Sequence, residues 1–246
     1  MSDSPIAAMF DRISPKYDAL NHLLSFNLDK VWRRKTAKAV AKSQPKTILD
    51  LATGTADLAI ALAKQNPQAH IIGMDISEKM LDIGKEKVKQ RNLENQIELH
   101  LGDATALPFE DNSFDAVTVA FGVRNFENLE QSLFEIQRVL KPNGQLVILE
   151  FSMPEKFPIK QAYLLYFKHI LPKIGKWVSK DNSAYSYLPA SVEKFPKPIV
   201  FSHLLSSFGL GKCHTKRLTM GIATLYVSKL RNNNYCNIKI SESRLS

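Results

Sequence analysis

Five short apolar runs, interleaved with helix-forming stretches, are the feature that most limits how this chain can fold. Thr47 to Leu51 (TILDL), His70 to Met74, Ile97 to Leu101, Phe114 to Val119 and Leu146 to Glu150 all have strand length. Helix signals lie between them: Ala56 to Lys64, stopping before Pro67, and a stretch through Arg91 that Ser77 can cap. Alternation at this spacing implies a parallel sheet with helices on both faces. The 246 residues, 44% of them hydrophobic, fit one such domain with decorations. No apolar run approaches the ~20 residues that span a bilayer. Met1 to Ala8 carries no basic region ahead of an apolar core, so no signal peptide is expected.

The flanks break the rhythm. Met9 to Val40 reads as helical, with apolar Leu20, Leu23, Leu24, Leu28 and Val31 and a break at a Ser14-Pro15 turn. Lys141 to Gly144 reads as a turn before the fifth strand. Pro158 to Ser179 is apolar, aromatic and basic, and a helix is expected from Pro198 to Phe208. Cys213 to Thr219 and Ile222 to Ser228 form a hairpin candidate around Gly221. Residues 1–229 are therefore expected to form one domain. Within it, 1–45 is a helical N-terminal lid and 151–197 a substrate-side insertion, while 230–246 is a polar tail expected to be disordered. Cys213 and Cys236 lack metal-ligand spacing, so neither a zinc site nor a disulfide framework is expected, and a reducing cytoplasm is the default. The net charge of +9 suits anionic surfaces, nucleic acid or the inner face of a membrane, without choosing between them.

Ligand sites in open parallel sheets lie beyond the carboxyl ends of the strands. The first strand ends in Asp50-Leu51-Ala52-Thr53-Gly54-Thr55-Ala56-Asp57, where small residues admit a ligand close to the backbone. A dinucleotide site asks for GxGxxG, whereas this loop has the single glycine Gly54, which favours a ligand without a pyrophosphate. Asp75, 21 residues later, ends the second strand where a carboxylate can accept bonds from both ribose hydroxyls. Asp103-Ala104 ends the third, within reach of an adenine amino group. Taken singly, the loop also reads as a plain turn and Asp75 as a solvated helix cap. Together the three strand ends point to a nucleoside-containing cofactor.

The set ILDLATGTADL (Ile48 to Leu58), Asp75, GDATALPF (Gly102 to Phe109) and RVLKPNGQLVILEFS (Arg138 to Ser152) resembles the class I S-adenosylmethionine methyltransferases. That resemblance implies a Rossmann-like α/β fold, a mostly parallel seven-stranded sheet closed by an antiparallel C-terminal hairpin. It implies S-adenosyl-L-methionine as cofactor, held by Gly54, Thr55, Asp75, Asp103 and Ala104, with Leu107 and Phe109 either in the adenine slot or in the core. Tyr17-Asp18-Ala19-Leu20-Asn21, Leu24-Ser25, Trp32 and Phe121-Gly122-Val123-Arg124-Asn125 are similar to signatures of the quinone-ring C-methyltransferases of menaquinone and ubiquinone synthesis. The resemblance runs from Met9 to Lys229. It departs at Leu20, usually methionine, Asp29, usually histidine, Ala120, usually serine, and Asn143, usually glycine.

A methyl acceptor of that kind is a lipid quinol, demethylmenaquinol or a methoxybenzoquinol. Ionising a phenol of pKa about 10 at neutral pH costs about 4 kcal/mol. Arg124 is the candidate cation for the phenolate, with Asn125 orienting the hydroxyl and Tyr17 bonding the ring oxygens. The competing reading pairs Arg124 structurally with Asp18 or Glu127. His22 is read as a lid or surface residue rather than a base. The Pro158 to Ser179 stretch suits a prenyl tail or transient membrane-surface contact, or equally core packing or a homodimer. Nucleic acid is not expected, because the fourth strand is followed by Ala120-Phe121-Gly122-Val123, without the proline of amine methylation. A non-catalytic scaffold is the remaining alternative.

Overall fold

A computed structural model describes residues 4–166 and 182–230. Part of the aromatic insertion and all of the tail except Leu230 lie outside the described residues. Seven strands form one sheet: β1 (Thr47–Leu51), β2 (His70–Asp75), β3 (Ile97–Leu101), β4 (Phe114–Ala120), β5 (Leu140–Phe151), β6 (His214–Leu218) and β7 (Ala223–Lys229). Their order is β3-β2-β1-β4-β5-β7-β6. The first five strands run parallel, and β7 lies antiparallel between β5 and β6. The expected sheet and closing hairpin are both present.

Strand periodicity builds two cores. On β5, Val147 and Leu149 face one side of the sheet while Leu146 and Ile148 face the other, all fully buried. The first face is covered by α2 (Leu28–Ala41), α3 (Asp57–Gln65) and α4 (Glu78–Lys89), and the second by α5 (Leu129–Val139) and α8 (Pro198–Ser207). Between β5 and α8 the chain forms α6 (Ile159–Leu165) and α7 (Asn182–Lys194). Ser77 caps α4, its hydroxyl accepting from the Met80 N–H.

Three expectations need correcting. The N-terminal helix α1 (Pro5–Leu24) runs unbroken through Pro15. Proline cannot donate to the carbonyl one turn back, that of Asp11, and the Ser14 hydroxyl donates to it instead at 3.1 Å. The helix ends only where Phe26 and Asn27 both take positive φ. Second, the part of the 1–45 segment that forms α2 also packs into the core, with Trp32 2% exposed and Ala37 and Val40 fully buried. Third, the turn from Lys141 to Gly144 is absorbed into β5 as an irregularity, with Asn143 at φ 63 and a register shift opposite Phe114 and Ala116. Among the described residues no helix is long and apolar enough to cross a membrane.

Candidate active site

Strand order reverses between β1 and β4, and the crevice at that switch point is where loops from neighbouring strands diverge. A cavity of about 70 Å³ opens there, lined by Leu51, Ala52 and Gly54 at the end of β1, Met74 to Ile76 at the end of β2, Gly102 to Ala104 after β3 and Ala120 to Gly122 at the end of β4. Ala52, Gly54 and Ala56 all have positive φ, so the loop after β1 doubles back tightly. Gly122 is required by proximity: a Cβ there would stand 2.4 Å from that of Ala52. Gly122→Ala should therefore push the two loops apart and lower the melting midpoint, by ~1–3 kcal/mol of overpacking. Thermal unfolding checks this.

Asp75 sits beneath that loop. Its two carboxylate oxygens accept from the Gly54 N–H at 2.8 Å and the Ser77 N–H at 2.9 Å. Burial dominates its titration and pushes its pKa up to about 6, although the backbone donors favour the anion. Asp50, fully buried on β1, accepts from Thr118 at 2.6 Å and Thr53 at 2.7 Å, and burial likewise raises it to about 6. It braces the loop from inside.

Gly54, Asp75, Asp103 and Ala104 all reach the crevice, but Thr55 is not brought to it. The Thr55 hydroxyl donates to Asp18 of α1 at 2.6 Å and accepts from Lys87 at 3.1 Å. Lys87 also binds Asp18 and Asp57. Leu107 and Phe109 pack with the core residues around Phe114. The helix α1 covers the crevice, with Ser4, Ile6 and Phe10 lining it. Its ties are Asp11 to the Ser77 hydroxyl at 2.6 Å and Ser4 to Glu127 at 2.5 Å.

A second, larger cavity of about 310 Å³ lies between α1, α2, α6 and α7. Its wall is mostly apolar: Met9, Ile13, Leu24, Trp32, Phe151, Tyr163 and Ile222 are among the lining residues. Phe10, Tyr17 and Phe121 line both cavities, so the two meet at these three rings. Burial raises the Tyr17 pKa, while the nearby charges of Arg33 and Arg124 pull it down.

Two buried ion pairs border the larger cavity. The Arg124 Nη1 donates to Glu150 at 2.7 Å and to the Phe121 carbonyl, and its Nε donates to Ser191 at 3.3 Å. Glu150 is fully buried, at the end of β5. Neither sequence candidate for that partner is used: Asp18 holds Lys87 and Glu127 holds Ser4. Arg124 stands over Phe151, Phe151 stacks on Phe121 with centroids 4.4 Å apart, and Arg33 stands over Phe121. Arg33 in turn donates to Asp29 at 2.6 Å. Asp29 also receives Ser25 at 2.7 Å and contacts His22 Nδ1 at 2.8 Å. Burial works against its ionisation, yet Ser25, Arg33 and His22 together hold its carboxyl below the usual range. Asn125 accepts from the Tyr187 hydroxyl at 2.9 Å and lines the smaller cavity.

The sequence offered one signal for Glu150, an acid ending an otherwise apolar central strand. Asp29 stood out there as a departure from the family pattern, but nothing distinguished Arg33 or Tyr187 as neighbours of the cavity, because their contacts with Phe121 and Asn125 join segments far apart in the chain.

The smaller cleft fits the cofactor expected from the sequence. It presents a buried carboxylate beside a chain reversal, and a Cβ built on Gly54 meets nothing within 4 Å, so the space before the loop is open. The model of the ubiE/COQ5 methyltransferase family matches residues 1–229. The chain is 48% identical over 223 residues to a demethylmenaquinone methyltransferase of Bacteroides fragilis, covering 91% of each chain. It is 43% identical to a ubiquinone/menaquinone biosynthesis C-methyltransferase UbiE of Geobacter sulfurreducens, covering 91% of this chain and 88% of that one. Among solved structures, a SAM-dependent methyltransferase of Aquifex aeolicus has a TM-score of 0.51 at 19% identity, covering 75% of this chain and 82% of that one. The [4+2]-cyclase SpnF has a TM-score of 0.60 at 16% identity, covering 92% and 95%, so the fold by itself does not choose the reaction. Sequence likeness over nearly the whole chain does choose: the protein belongs to the ubiE/COQ5 methyltransferase family and is an S-adenosyl-L-methionine-dependent methyltransferase.

Proposed function

We propose that the protein methylates a ring carbon of a polyprenyl quinol, converting demethylmenaquinol to menaquinol. The observation that carries this reading is the junction of the two cavities. An apolar, aromatic chamber meets the cofactor crevice at Phe10, Tyr17 and Phe121, so a flat ring held in the chamber abuts the cofactor. The relatives named for demethylmenaquinone support the naphthoquinol. Those named for both quinones favour, as a second reading, a methoxybenzoquinol.

Bound in the crevice, S-adenosyl-L-methionine supplies an electrophilic methyl group. The chain supplies everything else. Asp75 accepts the ribose hydroxyls, Gly54 lets the backbone lie close, and Asp103 with Ala104 borders the adenine. A quinol that loses one hydroxyl proton to solvent pushes electron density onto the neighbouring ring carbon, which becomes the nucleophile. Once that carbon carries the methyl group, its own ring proton leaves to solvent and aromaticity returns. Arg124 stabilises that phenolate through the Nη2 edge. Among the described residues its Nη1 and Nε are engaged by protein partners. Glu150 fixes the guanidinium plane and also tempers its charge. Tyr17 hydrogen-bonds a ring oxygen at the junction, and Asn125, held by Tyr187, orients the hydroxyl or a water.

This reading predicts a pH signature. Asp75→Ala should weaken cofactor binding by ~1.5–3 kcal/mol, since the ribose hydroxyls lose their acceptor. In the wild type Asp75 titrates near 6. Cofactor affinity should thus be level above that pH and fall below it by up to about tenfold per unit, because the protonated carboxyl accepts poorly. Stability of the protein without cofactor should move oppositely. Asp50 and Asp75 titrate near 6, above the ordinary 3.8, so between these values the folded chain holds more protons than the unfolded one. Their contribution is greatest at the acid end of that window and falls as pH rises through about 6. Calorimetric binding and urea unfolding across the range measure both slopes, and affinity that ignores pH would remove Asp75 from the cofactor site. The substrate is tested by turnover of both quinols with labelled cofactor, where the naphthoquinol should give the higher kcat/KM.

A further inference from the structure

We infer that the protein docks on an anionic lipid bilayer through the rim of the larger cavity, formed by the turn after α1 and by the start and outer face of α6. This inference rests on the quinol reading above, since it names the surface from which that substrate enters.

The turn after α1 places a large aromatic side chain where water and backbone both disfavour it. Asn27 N–H bonds the His22 carbonyl and Phe26 N–H the Leu23 carbonyl, the paired bonds of a Schellman helix end. The first residue past the cap in that motif takes positive φ and is usually glycine. Here it is Phe26, at φ 51 and 75% exposed. A left-handed backbone is disfavoured for any residue but glycine, and the exposed ring adds apolar surface to water. Phe26 also lines the cavity and contacts Tyr166 of the segment opposite, at 6.3 Å between centroids.

Across the rim, Phe157 is 80% exposed and Leu165 60%, with Leu23 at 52% on the α1 side. Phe26 and Ala162 are exposed and line the cavity, so it opens between them. The charges around this apolar rim are mainly positive, and the exposed acid beside it, Glu155, is paired with Arg217 at 2.8 Å. In 23–31 and 156–166 the exposed ionised side chains are Lys30, Lys156 and Lys160. The only acid in these segments, Asp29, is buried at 2% exposure and paired with Arg33. Exposed apolar groups ringed by lysines fit the interface of a bilayer with anionic headgroups. A second copy of the chain would bring the same positive rim against itself.

The test is flotation with vesicles of phosphatidylcholine containing about one third phosphatidylglycerol, against pure phosphatidylcholine. Wild type should float with the anionic vesicles and be released by raised salt. Phe157→Ser/Leu165→Ser, and separately Lys30→Glu/Lys156→Glu/Lys160→Glu, should lower the bound partition by about tenfold or more. None of these side chains lines the cavity, so turnover of a short-chain, water-soluble demethylated naphthoquinol should stay at the wild-type rate. Turnover of long-chain quinol in vesicles should fall with binding. Wild type that ignores anionic vesicles overturns the inference. So does a wild-type dimer that Phe157→Ser/Leu165→Ser disperses without change in vesicle binding, which would assign the rim to self-association. Wild type that floats yet leaves the short-chain quinol unmethylated contradicts the quinol reading and not the docking surface.

Discussion

Replacing Arg124 by alanine is expected to lower the rate of methyl transfer by about 10²–10³-fold, the range for losing one electrostatic donor to a developing anion. The same change should also destabilise the fold. Glu150 is fully buried and, among the described residues, would keep as donors the backbone N–H groups of Arg124 and Phe151, so about 3–5 kcal/mol of stability should be lost. A stability loss alone therefore does not speak against a catalytic role. The double variant Arg124→Ala/Glu150→Gln separates the two effects. Without a stranded anion it should recover much of the stability while its rate stays low. Arg124→Lys should retain part of the rate, keeping the charge but not the fork that engages Glu150, Phe121 and Ser191 together. Raising the pH, which ionises the quinol in solution, should restore part of the rate in the double variant. If the double variant regains rate along with stability, Arg124 is an ion-pair residue and nothing more.

Trp32→Ala should be the most damaging apolar truncation near the site, costing about 3–5 kcal/mol. The indole is 2% exposed, packs against Phe121 and Phe151 at 6.0 and 6.2 Å, and donates to the Thr219 hydroxyl at 2.9 Å. It forms the base of the acceptor chamber and also ties α2 to the segment joining β6 and β7. Deleting the chain through Trp32 should accordingly prevent folding. A shorter deletion through Phe10 removes only the part of α1 over the crevice. That variant should fold, with weaker cofactor binding because Ser4, Ile6 and Phe10 line the cleft. Circular dichroism and binding calorimetry on the two deletions distinguish the roles of α1 and α2.

What could be read from sequence was local or periodic. The apolar runs of β1, β2 and β3 end within one residue of where they were expected to, β1 before the Ala52-Thr53-Gly54 turn, β2 at Asp75 and β3 before Gly102. Asp75 and Asp103 reach the crevice because a strand end leaves little choice of direction. Thr55 stands apart from these for the opposite reason. Successive positive φ values at Ala52, Gly54 and Ala56 turn the loop, and its hydroxyl faces Asp18 and Lys87. The passage of α1 through Pro15 hinges on one side-chain bond from Ser14, which no propensity encodes. Pairs such as Arg124 with Glu150 and Asn125 with Tyr187 join residues 26 and 62 positions apart, and packing alone determines them.

The central claim is that a quinol ring held at Tyr17 and Phe121 receives the methyl group on carbon. Its most direct measurement is the position of a deuterated methyl group in the product of purified protein, reduced demethylmenaquinol and methyl-labelled S-adenosyl-L-methionine. Mass spectrometry and proton NMR should find the label on the ring carbon, with both hydroxyls intact. Label on a ring oxygen, as a methyl ether, or no transfer by folded, cofactor-binding protein, would contradict it.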